Sequence, residues 1–193
     1  MKKKLIALVA AVVAVVPFTT GGTASAAGGG ALAFECNAQL PNFPTSAGHG
    51  SCKGTAETTA GPLVGVIGTT PFAVTGPGNF YAEFDYQEPC VANEPPLAGT
   101  ANGYADITGL DAVYGGATTT ASAHITFNWT RGGASAAIVV TSGTLTISGG
   151  GTVTLVGGAA TAAFAPLLGE DNVCPVGGPL QAVVAGSAVV AGN

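Results

Sequence analysis

Three carboxylates lie close together in the stretch Glu83-Phe84-Asp85-Tyr86-Gln87-Glu88, and they are the residues of this chain best suited to chemistry. Alternate side chains of a β-strand share a face, so Glu83 and Asp85 are expected on one face with Glu88 just beyond them. Two carboxyl groups about 5 Å apart can hydrolyse a glycosidic bond with retention of configuration. Glu83, Asp85 and Glu88 are therefore the catalytic candidates, and a solvated acidic strand face is the alternative interpretation.

The spacing E-x-D-x-x-E, here Glu83 to Glu88, resembles the active-site strand of the laminarinase and lichenase glycosidases. The resemblance implies that Glu83 is the nucleophile and Glu88 the acid/base, with Asp85 between them. It covers six residues. The rest of the chain departs from that family, because it is much shorter, has one tryptophan, and continues with Pro89-Cys90, which suggests a disulfide-anchored loop. A non-catalytic protein is therefore the preferred interpretation.

Metal and cofactor binding are not expected, although one loop offers oxygen ligands. Glu170 and Asp171 lie beside Cys174 and are weak candidates for a Ca²⁺ site, with a solvated loop as the alternative. The cysteines are widely spaced without a C-x-x-C motif, and only His49 could join them, so the pattern does not favour zinc.

Four cysteines, Cys36, Cys52, Cys90 and Cys174, predict two disulfides in an exported protein. Three pairings are possible from the sequence. We favour Cys36–Cys52 as a local connection and Cys90–Cys174 as a long-range one.

The N-terminus has the pattern of a signal peptide. Lys2 to Lys4 form its charged region, Leu5 to Val16 form an apolar core too short for a transmembrane helix, and Ala24-Ser25-Ala26 is a cleavage site. Residues 1–26 are thus expected to be removed after Ala26, and residues 27–193 to form one secreted domain without a transmembrane segment.

The net charge of the chain argues against nucleic acids and anionic membranes as partners. Residues 27–193 contain ten acidic side chains but only Lys53 and Arg131 as basic ones, which gives a formal net charge of −8. A chain with two cations has no electrostatic footprint for nucleic acid or for an anionic membrane. A glycan or protein partner at the cell surface is compatible with this charge.

The stretch from Thr118 to Val156 predicts consecutive antiparallel hairpins. Ile125, Phe127 and Trp129 alternate with polar residues, which is typical of a half-buried strand. Gly132-Gly133 suits a two-residue type I′ turn, and that turn would place Trp129 opposite Ala136. Trp129 is accordingly expected in the core rather than on a sugar-binding surface.

A second hairpin follows the first. Leu145 and Ile147 alternate with threonine and serine, and Gly149 to Gly151 are expected to form a three-residue loop that places Val153 opposite Ile147. The apolar residues change parity between the two hairpins, so Ser142-Gly143 is a candidate β-bulge or a corner where the strand changes sheet.

The remaining stretches complete an all-β antiparallel fold of about ten strands, a β-sandwich or a partly closed barrel. Ser51 to Thr58 is expected to be a strand near an edge, separate from Leu63 to Ile67, and Gly109 to Gly116 a loop. The apolar stretch from Leu180 to Ala191 is expected to be a last strand that pairs with an early one.

The layout resembles small secreted proteins of unknown function from high-GC Gram-positive bacteria. The shared features are the signal peptide, an early cysteine followed by Gly54-Thr55-Ala56, the strand Ile125 to Trp129, a glycine- and threonine-rich hairpin, a late cysteine and a final apolar strand. This resemblance implies a β-sandwich and no particular activity.

Three functions are compatible with these features. The first is a non-catalytic structural or adhesive protein at the cell surface. The second is a binding module for a glycan or a small apolar ligand, which predicts either exposed Tyr81, Tyr104 or Tyr114 or a barrel interior lined with small residues. The third is the hydrolase with Glu83 and Glu88. His49 and His124 are expected to be surface residues.

Overall fold

The computed structural model describes residues 28–40, 47–87, 99–132, 135–166 and 180–192, and every element within these ranges is a β-strand. In chain order the nine strands are β1 (Gly28–Leu40), β2 (Ala47–Ile67), β3 (Thr70–Thr75), β4 (Gly78–Gln87), β5 (Gly99–Tyr114), β6 (Ala117–Gly132), β7 (Ser135–Ile147), β8 (Gly151–Pro166) and β9 (Leu180–Gly192).

The nine strands form one antiparallel sheet that closes on itself into a barrel. From β5 to β9 each strand pairs with the next, β9 pairs with β1, and β1 pairs with β2. Two strands, β3 and β4, lie between β2 and β5. β4 pairs with the first part of β2, and β3 pairs with its last part. The all-β antiparallel prediction is confirmed, and of the two expected architectures the barrel is observed.

Closure of the sheet explains the pairing of the terminal strand. β9 lies between β8 and β1, with Val184 opposite both Cys36 and Phe164. The prediction that the last strand pairs with an early one is thus confirmed. Closure also removes the exposed edges that an open sheet would present among the described strands.

The two ends of the barrel differ in their connections. At one end, called the short-turn end, the chain reverses through Gly68-Thr69, Gly115-Gly116 and Ser148 to Gly150. Gly68, Gly115 and Gly116 have positive φ angles there, which glycine adopts without steric cost. The opposite end, called the far end, is where β6 ends at Gly132 and β7 begins at Ser135.

Burial alternates along the strands, because successive side chains of a barrel strand face the interior and the outside in turn. On β4, Phe80, Ala82, Phe84 and Tyr86 are buried, and the residues between them face outward. Trp129 is also buried, which confirms its predicted place in the core.

The register of the first central hairpin differs from the prediction by two residues. Trp129 lies opposite Ile138 rather than Ala136, and Gly132 lies opposite Ser135, so the connection follows Gly132 instead of containing it. A displacement of two residues keeps every side chain on its face, because the side-chain period of a strand is two. The hydrophobic pattern therefore predicts the faces correctly and cannot distinguish the two registers.

The second hairpin shows the same kind of displacement. Ile147 lies opposite Gly151 and Leu145 opposite Val153, so the loop consists of Ser148 to Gly150 rather than Gly149 to Gly151. A hydrogen bond from the Gly150 amide to the Ile147 carbonyl, at 3.0 Å, closes this turn.

The expected β-bulge between the hairpins exists, slightly earlier than predicted. The register between β6 and β7 shifts where Phe127 pairs with Val140 and Thr126 pairs with Ser142. The extra residue is Thr141, and both Thr141 and Ser142 are exposed. Because of the bulge, Gly143 faces the interior. The bulge lies one residue before the predicted Ser142-Gly143.

Two predicted strand boundaries are wrong, because the strands are irregular at glycines there but do not end. The stretches Ser51 to Thr58 and Leu63 to Ile67 are parts of β2, which bends near Gly61 (φ 117°) and has neighbours on both sides, so it is not at an edge. Of the predicted loop from Gly109 to Gly116, Gly115-Gly116 form a turn. The residues before this turn belong to β5, whose register shifts between Ile107 and Leu110 while pairing with β6 continues.

The predicted signal peptide, residues 1–26, lies outside the described residues, so its removal stays a prediction. Among the described residues no helix is long and apolar enough to cross a membrane.

Candidate functional site

A row of small side chains crosses the barrel interior on three neighbouring strands. Cys52 on β2 lies opposite Ala82 on β4, and Ala82 lies opposite Ala105 on β5. All three are buried and face inward. Because an alanine carries only a methyl group, this row leaves space where Leu or Ile would meet the opposite wall.

Aromatic pairs stand on both sides of that row. Phe80 and Phe84 flank Ala82 on β4 at the adjacent inward positions. The Phe80 ring stacks on Phe34 of β1 with centroids 5.1 Å apart, and the Phe84 ring meets Trp129 of β6, also at 5.1 Å. These large rings keep the walls of the barrel separated on either side of the alanines. A gap therefore lies between the two aromatic pairs.

Glycines on the neighbouring strands make room for the Phe84 side chain. A Cβ atom at Gly50 would lie 2.7 Å from the Phe84 ring, and one at Gly103 would lie 2.7 Å from the Phe84 Cβ. Both distances are shorter than real contacts. A side chain at Gly50 would require movement of the Phe84 ring, whereas one at Gly103 would also meet the backbone of Glu83 and Phe84. The glycines therefore help to hold one of the two aromatic pairs.

The gap is an apolar cavity of about 70 Å³. Its lining contains no polar surface. Phe34, Phe127 and Ile138 face inward yet are only partly buried, as expected for side chains that border a void. The cavity is bordered by five alanines, five aromatic rings and the two half-cystines among others: Leu32, Phe34, Cys36, Ala38, Cys52, Ala56, Phe80, Ala82, Phe84, Ala105, Ile107, Ile125, Phe127, Trp129, Ile138, Val140, Ala160 and Val184.

A disulfide forms part of the cavity wall. Cys36 on β1 and Cys52 on β2 are bonded to each other, and both side chains are buried. This confirms the favoured local pairing. Cys90 and Cys174 lie outside the described residues, so their pairing stays a prediction.

One charged residue is buried at the far end of this interior. Arg131 on β6 has 5% of its surface exposed and occupies the inward position that follows Trp129. Its direct neighbours across the sheet are Gly99 on β5 and Ala136 on β7. Ala136 in turn lies opposite Ala162 on β8, so the residues paired across the sheet at this level are small.

The outer face of β4 carries the carboxylate that the sequence singled out. Glu83 faces outward and accepts hydrogen bonds from the hydroxyl groups of Tyr81 at 2.5 Å and Tyr104 at 2.6 Å. The Tyr104 hydrogen bond and then the Tyr81 hydrogen bond lower the pKa of Glu83 from its usual 4.5. The same contact raises the pKa of Tyr104 to about 12.

Two histidine–carboxylate pairs flank Glu83 on the same outer face. His49 Nδ1 lies 3.0 Å from Asp85 Oδ1, and His124 Nδ1 lies 2.7 Å from Asp106 Oδ1. Each pair consists of direct cross-strand partners. Both histidines are exposed, as predicted, and the Tyr104 ring stacks on His124 at 5.4 Å.

The structure separates Glu83 from the cavity. Glu83 faces outward on β4, whereas its neighbours Ala82 and Phe84 face the cavity. Glu88 lies outside the described residues, so the proposed carboxylate pair with Glu83 stays a prediction. Asp85 is engaged by His49 rather than directed at Glu83.

The two candidate metal ligands, Glu170 and Asp171, are not among the described residues. Within the described ranges, no group of three or more histidine, cysteine or acidic side chains is arranged to hold a metal ion.

Two features of the interior are partly visible in the sequence, but no motif identifies them. The alternation Phe80-x-Ala82-x-Phe84 already contains the aromatic and small layers, yet their alignment with Cys52 and Ala105 depends on the registers between strands. Arg131 shares the parity of Trp129, which indicated an inward direction, but its polar character favours the surface.

Comparison of the chain with protein-family models, with curated proteins and with solved structures finds no match. The resemblance to secreted proteins of high-GC Gram-positive bacteria is therefore an expectation from the sequence.

Proposed function

We propose that this protein is a non-catalytic, exported binding protein that holds a small apolar molecule inside its barrel. The observation that carries this proposal is the cavity of about 70 Å³, which has no polar lining and lies between two aromatic pairs. Small-molecule sites in barrels are concave and mostly apolar, as this one is.

Binding of an apolar molecule in the cavity is expected to be energetically favourable. An empty apolar cavity costs stability at roughly 24 cal/mol per Å³, so a void of about 70 Å³ costs about 2 kcal/mol. Water gains little by entering, because it needs two to four polar partners and the wall offers none. A compact apolar molecule restores the missing contacts without losing hydrogen bonds.

The size of the cavity limits the ligand. An apolar cavity of about 150 Å³ can hold benzene, and this one has about half that volume. The ligand, or the part of it that enters, therefore has only a few heavy atoms.

Chloroform is a suitable probe, because it is small and apolar and quenches tryptophan fluorescence on contact. Trp129 is the only tryptophan and borders the cavity, so its emission reports occupancy. We expect saturable quenching with the folded wild-type protein. Quenching that rises linearly without saturation would contradict the proposal.

A matched pair of variants tests the location. Ala160 borders the cavity and Ala159, its neighbour on β8, is exposed on the outer face. Ala160→Leu should fill the cavity and abolish saturable quenching, whereas Ala159→Leu should leave it unchanged. If Ala160→Leu does not fold, Ala82→Val is the milder replacement and should weaken binding. Equal binding by the cavity variants and Ala159→Leu would overturn the proposal.

Export belongs to the proposal as well. The Cys36–Cys52 disulfide is compatible with an oxidising compartment. N-terminal sequencing of protein recovered from the culture medium should begin at Ala27. Recovery only inside the cell with residues 1–26 attached would contradict export.

A structural or adhesive role at the cell surface is the second candidate, and the outer face supports it. Tyr81 and Tyr104 are held by Glu83 on a polar surface that spans β4 and β5, and Tyr81 is 38% exposed. Aromatic rings fixed in this way suit contact with a glycan or a protein. In a glycan-binding screen, Tyr81→Ala should remove any binding that belongs to this face, whereas binding that persists would contradict that role.

A further inference from the structure

The wall of the barrel cavity is rich in aromatic rings. Four of the eight phenylalanines of the chain and its only tryptophan border a space of about 70 Å³. Two of these rings form the Phe34–Phe80 pair and two form the Phe84–Trp129 pair, so rings stand on both sides of the gap. The π electrons of these rings make the wall more polarizable than one built from aliphatic side chains alone.

Sulfur is the second polarizable component of the wall. The Cys36–Cys52 disulfide borders the cavity, and both half-cystines are buried. Within the described part of the chain these two residues contain the only sulfur atoms, so all of that sulfur lies at one place. Sulfur is soft and polarizable, and it makes favourable contacts with aromatic rings. The cavity therefore offers dispersion contacts rather than hydrogen bonds.

The apolar character of the wall restricts the functional groups of the ligand. The described residues that line the cavity expose no polar surface to it. An ether, hydroxyl, amine or carboxylate would lose its hydrogen bonds to water and gain none in return. A thiol has a weak S–H donor that would stay unpaired, whereas a thioether has no donor and its sulfur is only a weak acceptor. Hydrocarbons, haloalkanes and thioethers therefore enter at little cost.

We propose that the molecule bound in the cavity is a short thioether, with dimethyl sulfide as the model compound. This inference rests on the proposed function and names the ligand class for the same cavity. Compared with a hydrocarbon of the same shape, a thioether gains additional attraction, because its sulfur contacts aromatic rings favourably at a distance of about 5 Å. The aromatic pairs on either side of Ala82 and Ala105 provide such rings.

The cavity volume sets the size of the thioether. An apolar cavity of about 150 Å³ holds benzene, which has six carbon atoms. A cavity of about 70 Å³ thus holds about three heavy atoms, which is the number in dimethyl sulfide. Diethyl sulfide has five heavy atoms and exceeds this limit, so it should bind more weakly than dimethyl sulfide despite its greater hydrophobicity.

The test compares molecules of one size that differ in a single group. Dimethyl sulfide, propane, chloroethane and dimethyl ether are titrated into the oxidised exported protein and followed by ligand-observed NMR. Each association constant is divided by the partition coefficient of that ligand between cyclohexane and water, which corrects for hydrophobicity. The corrected constant of dimethyl sulfide should exceed that of propane at least about threefold and should not be surpassed by chloroethane. Dimethyl ether should bind most weakly before correction, because its oxygen finds no donor.

A matched pair of variants tests the role of the rings. Phe80 borders the cavity, whereas Phe72 on β3 is also buried but does not border it. Phe80→Leu removes a ring from the wall and should lower the corrected preference for dimethyl sulfide over propane at least about twofold while propane still binds. Phe72→Leu should leave the preference unchanged. An equal preference in the wild type and Phe80→Leu would overturn the role of the aromatic wall.

The outcomes separate the ligand class from the binding site. If Phe80→Leu does not fold, the series of four ligands with the wild-type protein decides by itself. Equal corrected constants for dimethyl sulfide and propane, or a higher one for chloroethane, would overturn the thioether proposal and leave the apolar binding site intact. Failure of all four ligands and of chloroform to bind would overturn the proposed function itself.

Discussion

The interior of the barrel consists of two parts that differ in packing although the same strands build them. Toward the short-turn end, Val74, Leu110 and Ile147 are each only 1% exposed and fill the space between the strands. Toward the middle, alanines at Ala82 and Ala105 face a cavity. The cavity is therefore a local consequence of which residues occupy one level, not a general looseness of a protein rich in glycine and alanine.

The difference also shows what stabilises each part. The filled part gains from burial of large aliphatic side chains, at roughly 25 cal/mol per Å² of apolar surface. The cavity part loses some of that gain and contains the Cys36–Cys52 disulfide, which constrains the unfolded chain instead. Enlargement of a small side chain should thus have opposite effects in the two parts.

Truncation in the filled part should have the largest effect. Leu110→Ala removes a fully buried side chain and should lower the free energy of unfolding by about 3 to 4 kcal/mol. Urea denaturation of the oxidised protein measures this. Val113→Ala, at an exposed position of the same strand, is the control and should change little. A loss below about 1 kcal/mol for Leu110→Ala would mean that this part is not tightly packed.

Removal of the disulfide should have a comparable or slightly smaller effect. The two cysteines are 16 residues apart, and closure of a loop of about 15 residues contributes about 3 kcal/mol in the chain-entropy model. The double variant Cys36→Ala/Cys52→Ala should show this loss in urea denaturation. Wild-type stability in the double variant would mean that the cavity part does not depend on its covalent connection.

Enlargement of one alanine in each part sharpens the comparison further. Ala112 is 2% exposed and does not border the cavity, so Ala112→Leu should overpack the filled part and cost about 1 to 3 kcal/mol. Ala160→Leu should be neutral or stabilising by up to about 2 kcal/mol, because it fills a void. Thermal and urea unfolding measure both, and equal destabilisation would contradict the distinction.

The smallest expected effect concerns the outer face, where the contribution to stability depends on pH. The Glu83 carboxylate has a lowered pKa, so its stabilising contribution is present above the usual pKa of 4.5 and is lost as the pH falls through the folded-state value. The Tyr104 hydroxyl has a pKa raised to about 12, so its contribution is present below pH 10 and lost as the pH approaches 12.

Spectrophotometric titration of tyrosine checks the cause of these shifts. Glu83→Gln should lower the pKa of Tyr104 toward its ordinary value of 10.0, because the accepting carboxylate is gone. Asp111→Asn, which removes an exposed acid elsewhere on β5, should not change it. An unchanged Tyr104 titration in Glu83→Gln would show that another group causes the shift.

Much of the fold follows from the period-two pattern of the sequence. The pattern assigned the inward face of β6 correctly and anticipated a bulge after Val140, because each side of a strand must match either core or solvent. It failed on register by two residues at both central hairpins, since such a displacement leaves every face unchanged. Strand lengths failed where glycines such as Gly61 and Gly109 bend a strand that remains paired.

The candidate site was less predictable than the fold. A barrel interior lined with small residues was expected if the protein binds an apolar ligand, and the alanine row agrees with that expectation. The cavity itself depends on the alignment of Cys52, Ala82 and Ala105 across three strands, which only the registers determine. The spacing of the carboxylates is visible along the chain, whereas a cavity corresponds to no sequence motif.

Xenon binding tests the central claim most directly, because xenon is apolar, uncharged and small enough for the cavity. A crystal of the oxidised exported protein under xenon pressure should show one xenon atom between the Phe34–Phe80 and Phe84–Trp129 pairs, against Ala82 and Ala105. Ala160→Leu should lower its occupancy. Absence of xenon from this place at saturating pressure, with the wild-type interior unchanged, would contradict an apolar binding site in the barrel.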